Sequence, residues 1–490
     1  MSTDQLGALE EAVERRLAAM RDERVLERVQ ERDHTVWKDD PTEIADRLGW
    51  LTAAGDMRER LPELEAFAKR VEADGFETTL LLGMGGSSLA PEMLASIYDG
   101  PLRVLDTTHP AAIVGIEAGL DLDRTLFVVA SKSGTTIETM SHFAHFWDLT
   151  GGRARSFVAI TDPGSPLEAT ARERDLREVF LNPPDIGGRY SALSLFGLVP
   201  GALAGAPLAA LLDGATELDH EEAARLGATL GEAALAGRDK LTLVLPETMA
   251  SLGDWIEQLV AESTGKEGMG IVPVVGEDLG PPEVYGGDRI FVSYGAGLDA
   301  IEAAGHPVVR LPEGDLGREL FRWELATAIA GHVLGINPFD QPNVASAKKA
   351  TSEILDQGYE DPGLDELAPL LREVQPGDYV AITAFLDPSP QTLEALQRAR
   401  LALRDRFSAA TTLGFGPRYL HSTGQLHKGG PDTGVFIQVV DAGRPQDLPI
   451  PGEPFTFGQL LDAQALGDLR SLREAGRRVA RVTLDALGAV

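Results

Sequence analysis

Short apolar strands that alternate with helical segments constrain the fold of this chain more than any other feature. The first series of strand-like runs comprises Thr78–Leu82, Leu102–Leu105, Thr125–Ala130, Ser156–Ile160 and Glu178–Leu181. The second series comprises Leu241–Leu245, Ile271–Val275, Arg289–Ser293 and Val308–Leu311. Strands that alternate with helices pair in parallel and are covered on both faces. The sequence therefore predicts an α/β protein with two doubly wound parallel sheets.

The two series divide the chain into four predicted segments. Residues 1–74 are expected to be helical, because 4–32 have the apolar spacing of one long helix and two shorter helical patterns follow. Residues 75–236 and 237–374 each hold one strand series, and residues 375–490 form a C-terminal α/β extension. The patterns of the extension are a strand at Tyr379–Phe385, a helix from Ser389 to Phe407, a glycine-rich loop over 414–434, a strand at Val435–Val440 and an arginine-rich terminal helix.

The charge of the chain narrows the classes of partner. It has 44 Lys and Arg residues against 76 Asp and Glu residues, a net charge of −32. This balance argues against nucleic acid and anionic membranes as partners. No apolar run is long enough to span a bilayer. Because the chain also lacks cysteine and opens without a signal-peptide pattern, we expect a cytoplasmic protein.

The run Ser131–Thr136 is the strongest candidate for a binding site. It follows the strand Thr125–Ala130, precedes a predicted helix over 137–149, and combines four hydroxyl side chains with Lys132 and a glycine. The N-terminus of a helix exposes N–H groups and a positive dipole end, and hydroxyls and lysine add donors for an anion. The run lacks the Gly-Lys-Ser/Thr ending of a nucleotide P-loop. It therefore predicts a site for one small phosphomonoester.

A glycine-rich loop, Gly83–Ser88, lies at the carboxyl end of the first strand. Together with Asp106 downstream it is similar to a dinucleotide-binding fingerprint, but Ser88 stands where glycine or alanine is needed for close packing. Next to the Ser131–Thr136 run, this loop is predicted to form one wall of a sugar-phosphate pocket.

Three further segments carry residues suited to catalysis. Arg189 lies on the glycine turn 187–191, where a guanidinium can donate to two oxygens at once. Gln258 and Glu262 are four residues apart and share one face of a predicted helix over 252–261. The dipole at that end of the helix opposes ionisation of Glu262, which favours a general base near neutral pH. Lys348 follows a turn over 339–343.

These segments, taken in order, resemble the glucose-6-phosphate isomerase family, which is built from two sugar-isomerase (SIS) subdomains. The resemblance rests on residues 83–88, 131–136, 187–191, 258–266 and 337–341, with Lys348 seven residues later. It covers roughly residues 75–350. The extension, with FLDPSPQT at 385–392 and PRYLHSTGQLHKGG at 417–430, resembles the isomerase half of bacterial transaldolase–isomerase fusions. No transaldolase barrel precedes it, so a free-standing isomerase is expected.

The resemblance implies interconversion of glucose 6-phosphate and fructose 6-phosphate through ring opening and a cis-enediol, without metal or cofactor, by a homodimer. It implies that Glu262 moves the proton between C1 and C2, Arg189 stabilises the enediolate and Lys348 serves ring opening. The substrate-binding residues that it implies are Gly86, Ser87, Ser131, Lys132, Ser133, Thr135, Thr136 and Gln258.

One departure from the family concerns ring opening. The family has a histidine just before the helix predicted at 317–334, whereas this chain has Gly314-Asp315-Leu316 there, and neither His306 nor His332 matches the position. We expect Lys348 to be assisted by another segment. The loop Pro417–Gly430, which holds His421, His427 and Lys428, is one candidate, and Asp315 is another.

Three alternatives to this function stay open on the sequence alone. The first is a related sugar-phosphate isomerase, for example one that acts on mannose 6-phosphate. The second is a non-catalytic SIS sensor of sugar phosphates, and the third is a dinucleotide-dependent enzyme. Arg189, Glu262 and Lys348 together favour catalysis, because a sensor needs the phosphate site but no base.

Overall fold

Three parallel β-sheets, each flanked by helices, carry the fold of the computed structural model. The structure describes residues 5–295, 297–358, 361–441, 443 and 447–488, without the side chains of residues 345–347. All strand pairs of the three sheets are parallel, and the predicted α/β class is confirmed. In these ranges no helix has the length and apolar character needed to cross a membrane.

Four α-helices precede the first strand in the described part of the chain. They are α1 (Glu10–Asp22), α2 (Val25–Gln30), α3 (Trp50–Asp56) and α4 (Leu61–Ala73). The prediction of one continuous helix over 4–32 is wrong, because Arg24 adopts a left-handed conformation with φ of 55° and separates α1 from α2. The apolar residues that gave this segment its helical spacing do pack inward, since Val13, Leu17 and Met20 of α1 are buried.

The first sheet has five strands in the order β2-β1-β3-β4-β5. Its strands and helices are β1 (Thr78–Gly83), α5 (Leu89–Ile97), β2 (Leu102–Leu105), α6 (Pro110–Ala118), β3 (Thr125–Ala130), α7 (Ile137–Leu149), β4 (Phe157–Thr161), α8 (Pro166–Glu173) and β5 (Glu178–Leu181). Every residue of β3 and β4 is buried, as expected for strands covered on both faces. The carboxyl ends of β1 and β3 lie side by side, which brings the loops 83–88 and 131–136 to one edge.

The second sheet has four strands in the order β7-β6-β8-β9. The helical block α9 (Leu195–Leu203), α10 (Leu208–Glu217) and α11 (His220–Leu235) precedes it. The sheet and its helices are β6 (Lys240–Val244), α12 (Ala250–Thr264), β7 (Val272–Val274), β8 (Arg289–Tyr294), α13 (Asp299–Ala303), β9 (Val308–Leu311), α14 (Leu316–Leu334) and α15 (Val344–Gln357).

The C-terminal extension builds a third sheet in the order β11-β10-β12-β13. Its elements are α16 (Leu367–Leu371), β10 (Tyr379–Phe385), α17 (Pro390–Phe407), β11 (Ala410–Phe415), α18 (Gly424–Gly429), β12 (Gly434–Val440), α19 (Phe457–Glu474), β13 (Arg478–Val482) and α20 (Leu484–Leu487). The sequence prediction missed β11 and β13. The glycines at 414 and 416 are typical of a loop, which obscures β11. The arginines of β13 continue the arginine-rich pattern of the preceding helix, which obscures that strand.

The extension packs against both other sheets. Phe457 and Leu460 of α19 enter the apolar cluster on the first sheet that includes Leu80 and Phe127. Glu277, which is buried after β7, pairs with Arg289 of β8 at 3.2 Å and accepts a hydrogen bond from Thr411 of β11 at 2.9 Å. The three sheets fall within the segments 75–236, 237–374 and 375–490, whose boundaries as domains stay a prediction.

Candidate active site

A cavity of about 180 Å³ lies where the first sheet, α15 and the extension meet. Residues 135–138 at the start of α7 form one side of it. Val344, Lys348, Thr351 and Ser352 of α15 form another side, and the extension contributes Leu420, His421 and Gln464. Three segments far apart in the sequence therefore build this cavity.

The hydroxyl-rich run that precedes α7 opens onto the cavity through Thr135 and Thr136. Gly134 has φ of 67°, a conformation that glycine adopts at no steric cost, and it turns the chain so that Ser133 and Thr135 are exposed. The hydroxyls of Ser131 and Thr136 lie 3.0 Å apart. In the described structure the N-cap residue Thr136 makes no side-chain capping hydrogen bond to α7, which leaves N–H groups of its first turn available to an anion.

Lys132 is held to one side of this run. Its ammonium group donates to Asp162 at 2.5 Å and to the carbonyl of Pro184 at 2.9 Å. Its positive charge is thus shared with a carboxylate at the end of β4, and the lysine does not line the cavity.

Glu138 is the buried carboxylate of the cavity. Its Oε1 accepts hydrogen bonds from Nε2 of His421 at 2.9 Å and from the amide of Gln464 at 2.7 Å. Oε1 of Gln464 in turn accepts from the hydroxyl of Thr108 at 2.8 Å. Burial alone would raise the pKa of Glu138, but the charge and hydrogen bond of His421, together with the charge of Lys348, lower it. Glu138 is therefore an ionised partner that orients His421.

The loop Pro417–Gly430 holds three candidates for ring opening, and one of them, His421, lines the cavity. His427 is buried, packs against the rings of Tyr419 and Phe436, and has a pKa far below its ordinary value because of burial. Lys428 is buried and pairs with Asp468 at 2.6 Å.

The other two candidates for ring opening lie apart from each other. Asp315 caps α14 by accepting from the amide of Arg318 at 3.1 Å and does not line the cavity. Lys348 lines the cavity from α15, and its role in ring opening stays a prediction. Of the residues predicted to serve ring opening, Lys348 and His421 line the same cavity from two different segments.

A second cluster, beside the cavity, is built around Arg189 and Glu262. Nη1 of Arg189 lies 3.2 Å from Oε1 of Glu262 and donates to Gln341 at 2.9 Å. Nε of Arg189 donates to Ser263 at 2.7 Å, and Nη2 donates to the carbonyl of Pro338 at 2.7 Å. The buried guanidinium therefore fixes the carboxylate of Glu262 and the turn over 337–341 together.

Lys266 supports the same turn from a neighbouring position. Its buried ammonium donates to the carbonyl of Asn337 at 2.7 Å and pairs with Asp340 at 2.8 Å. Burial lowers the pKa of Lys266 to about 7, and the positive charge of Arg189 adds to this shift. The turn that places Gln341 is thus held by two basic side chains.

Gln258 joins the second cluster to the cavity. Its amide donates to Oε2 of Glu262 at 3.1 Å and to the carbonyl of His421 at 2.8 Å. Its own Oε1 is buried and has no hydrogen-bond partner among the described residues, and such an acceptor is costly to leave unpaired. The predicted sharing of one helix face by Gln258 and Glu262 is correct, since both lie on α12 and their side chains are in contact.

The glycine loop 83–88 packs under these groups. A Cβ at Gly86 would meet the carbonyl of Gly188 at 2.0 Å, so glycine is required for the close approach to the turn of Arg189. Ser87 is buried, and neither it nor Gly86 lines the cavity. Asp106 accepts from the hydroxyl of Ser88 at 3.2 Å and pairs with Arg418 at 3.0 Å. Both partners belong to the protein, which argues against a ribose-binding role for Asp106.

Sequence reasoning missed three residues of these clusters. Glu138 follows the Ser131–Thr136 run and could have been predicted, because residues in the first turn of α7 lie near the same site. Gln341 lies in the segment 337–341 that resembles the family, and only its contact with Arg189 distinguishes it from its neighbours. Gln464 has no local signal. Among the described residues, no group of three or more His, Cys, Asp or Glu side chains is arranged to hold a metal ion.

We compared the chain with known proteins. The model of the phosphoglucose isomerase family matches residues 55–234. A glucose-6-phosphate isomerase of Rubrobacter xylanophilus is 30% identical over 372 residues, which cover 60% of this chain and 86% of the relative. A hypothetical protein of Thermus thermophilus has a similar solved structure, with a TM-score of 0.60 and 25% identity over 72% of this chain and 100% of its own.

A second solved structure, a glucose-6-phosphate isomerase of Chlamydia trachomatis, matches with a TM-score of 0.58 and 21% identity, covering 74% of this chain and 89% of its own. At that identity the likeness shows the fold. Fold and sequence together define the class of α/β isomerases. The chain belongs to the phosphoglucose isomerase family.

Proposed function

We propose that this chain interconverts glucose 6-phosphate and fructose 6-phosphate by ring opening followed by proton transfer through a cis-enediol. Family membership supports the reaction. The observation that carries its assignment to particular residues is the amide of Gln258, which contacts both Glu262 and the backbone of His421. One amide thereby links the proposed base to the segment of a histidine that lines the cavity.

The substrate phosphate would bind at the start of α7. The exposed hydroxyls of Ser133 and Thr135, the uncapped N–H groups of α7 and the hydroxyls of Ser131 and Thr136 supply its donors. Lys132 would add charge from its position beside Asp162. The assignment of the sugar to Gly86, Ser87 and Gln258 rests on the family resemblance, since none of the three lines the cavity.

Proton transfer between C1 and C2 is assigned to Glu262. A general base needs a fixed orientation toward the proton that it removes. Arg189 and Gln258 supply this orientation, since each contacts one oxygen of the carboxylate. Arg189 would also stabilise the negative charge that develops on the enediolate, because preorganised donors in a buried site act without reorganisation.

Ring opening is assigned to His421 and Lys348. It requires removal of a proton from the C1 hydroxyl and delivery of a proton to the ring oxygen. The two side chains line the same cavity from different segments, and Glu138 orients His421 through a 2.9 Å hydrogen bond. His421 would thereby take the place of the histidine that the family has before α14.

A coupled assay for fructose 6-phosphate formation, without added metal or nucleotide, tests this function. The same assay with mannose 6-phosphate tests whether the enzyme also acts on that substrate. Binding of glucose 6-phosphate without turnover would contradict the proposal and favour a sensor. We further propose a cytoplasmic homodimer, for which sedimentation of the purified chain tests the oligomeric state.

A further inference from the structure

Arg418 lies three residues before His421, on the 3₁₀ turn Arg418–His421 of the extension. Its guanidinium contacts three carboxylates from three elements. Nη1 pairs with Asp106, just after β2, at 3.0 Å. Nη2 pairs with Glu92 of α5, and lies 3.5 Å from Asp254 of α12. This arginine is therefore an electrostatic link between the extension, the first sheet and the helix of Glu262.

The surroundings of the turn explain why it depends on Arg418. The three carboxylates repel one another, and Asp106 is buried, so removal of the cation would leave a buried charge without its partner. On its other side, the turn is held by Tyr419, whose hydroxyl donates to Asp468 at 2.6 Å. His421 itself is fixed at its carbonyl by Gln258 and at its ring by Glu138.

We propose that Arg418 is a positioning residue for ring opening: its ion pairs with Asp106, Glu92 and Asp254 hold the imidazole of His421 over the cavity. This inference rests on the proposed function and adds a residue that does not line the cavity. Arg189 and Glu262 are held by contacts in which Arg418 takes no part. Loss of Arg418 should therefore impair ring opening and spare proton transfer.

The experiment compares two substrates. Glucose 6-phosphate must be opened, whereas an aldose 6-phosphate that lacks the oxygens on C4 and C5 cannot close a five- or six-membered ring. The cyclic-to-open ratio is kcat/KM for the first substrate divided by kcat/KM for the second. A defect in ring opening lowers this ratio, and a defect in proton transfer or stability does not.

Arg418→Met is the test variant, and Arg478→Met is its matched control. Arg478 also belongs to the extension and pairs with Asp378, and its side chain has the same 23% exposure as that of Arg418. We expect Arg418→Met to lower the cyclic-to-open ratio by about tenfold or more, since small displacements of a reacting group cost up to about 10²-fold. The control should leave the ratio unchanged. Arg418→Lys should recover part of the loss.

Glu92→Gln keeps the test decisive if Arg418→Met does not fold. Glu92 is 39% exposed and is one of the three carboxylates that hold Arg418, so this substitution should lower the ratio in the same direction by a smaller factor. An unchanged ratio in the folded Arg418 or Glu92 variants would overturn the inference while wild-type turnover of glucose 6-phosphate still supports the proposed function. Absence of wild-type turnover would instead overturn the proposed function.

Discussion

The amide of Gln258 and the backbone carbonyl of His421 are joined by a hydrogen bond of 2.8 Å, although 163 residues separate them in the sequence. The same amide contacts Glu262 at 3.1 Å. The helix that carries the proposed base therefore also fixes the loop that carries the proposed ring-opening histidine. One side chain of α12 thus contacts both residues to which the two chemical steps are assigned.

The proposed phosphate site predicts a binding defect. Ser133→Ala combined with Thr136→Ala removes two hydroxyl donors that are remote from C1 and C2. We expect KM to rise much more than kcat falls, with some loss of kcat because remote binding energy also supports the transition state. Steady-state kinetics with glucose 6-phosphate give the measurement. Thr170→Ala is the control, since the Thr170 hydroxyl contacts a carbonyl of its own helix at 3.0 Å. A fall in kcat at constant KM would refute the phosphate assignment.

The proposed base predicts a loss of turnover. Glu262→Gln keeps the shape of the side chain but removes its ability to accept a proton. Loss of a general base typically costs about 10²–10⁴-fold in rate. The control is Glu267→Gln, because Glu267 is 57% exposed and pairs with Lys38 away from the cavity. Turnover of the Glu262 variant close to that of the control would exclude this role.

The two histidines of the extension are predicted to differ. His421→Ala should lower the cyclic-to-open ratio, because His421 lines the cavity. His427→Ala should lower the melting temperature and leave the ratio unchanged, because His427 is buried between aromatic rings. Thermal unfolding and kinetics on both substrates separate the two effects. Equal responses of both substrates to His421→Ala would argue against ring opening by this residue.

A fourth prediction concerns the pH dependence of stability. Burial raises the pKa of Glu257 from 4.5 to about 8, and the charge of Asp254 adds to the shift. The folded state thus keeps a proton that the unfolded state loses, so this group's contribution to stability is full below pH 4.5 and is lost as the pH rises toward 8.

The variant Glu257→Gln isolates this contribution. Relative to wild type, it should gain free energy of unfolding as the pH rises from 4.5 to 8, with the difference constant above pH 8. Urea unfolding of both proteins across this range provides the measurement. Glu247→Gln, in the exposed turn before α12, serves as the control variant. A pH-independent difference for Glu257→Gln would contradict the assignment.

Much of the fold could be predicted from local pattern. The apolar runs of β1, β3 and β10 are recognisable, because strands buried on both faces are continuously apolar. The break at Arg24 was not predicted, because a left-handed residue in a polar stretch has no recognisable sequence pattern. The strands β11 and β13 were not predicted, because glycine or arginine residues in a short strand mask its apolar pattern. The hydroxyl run of Ser131–Thr136 was visible because a single segment holds it.

The remaining parts of the site depend on contacts across the whole chain. Gln464 meets Thr108 across 356 residues, and no periodicity reports such a pairing. Within Pro417–Gly430 the sequence offered His421, His427 and Lys428 as equals, and only packing separates the one that lines the cavity from the two that are buried in the extension. The sequence alone shows that the family's histidine is absent before α14. Its proposed replacement, His421, could be recognised only from the tertiary structure.

We propose that Glu262 isomerises glucose 6-phosphate by proton transfer between C2 and C1. The most direct measurement is the NMR spectrum of fructose 6-phosphate formed from glucose 6-phosphate in D₂O. Exchange of the base's proton with solvent before its return predicts deuterium at C1 of the product with wild type, and little product with Glu262→Gln. Wild-type-like product formation by Glu262→Gln, with or without deuterium at C1, would contradict the account.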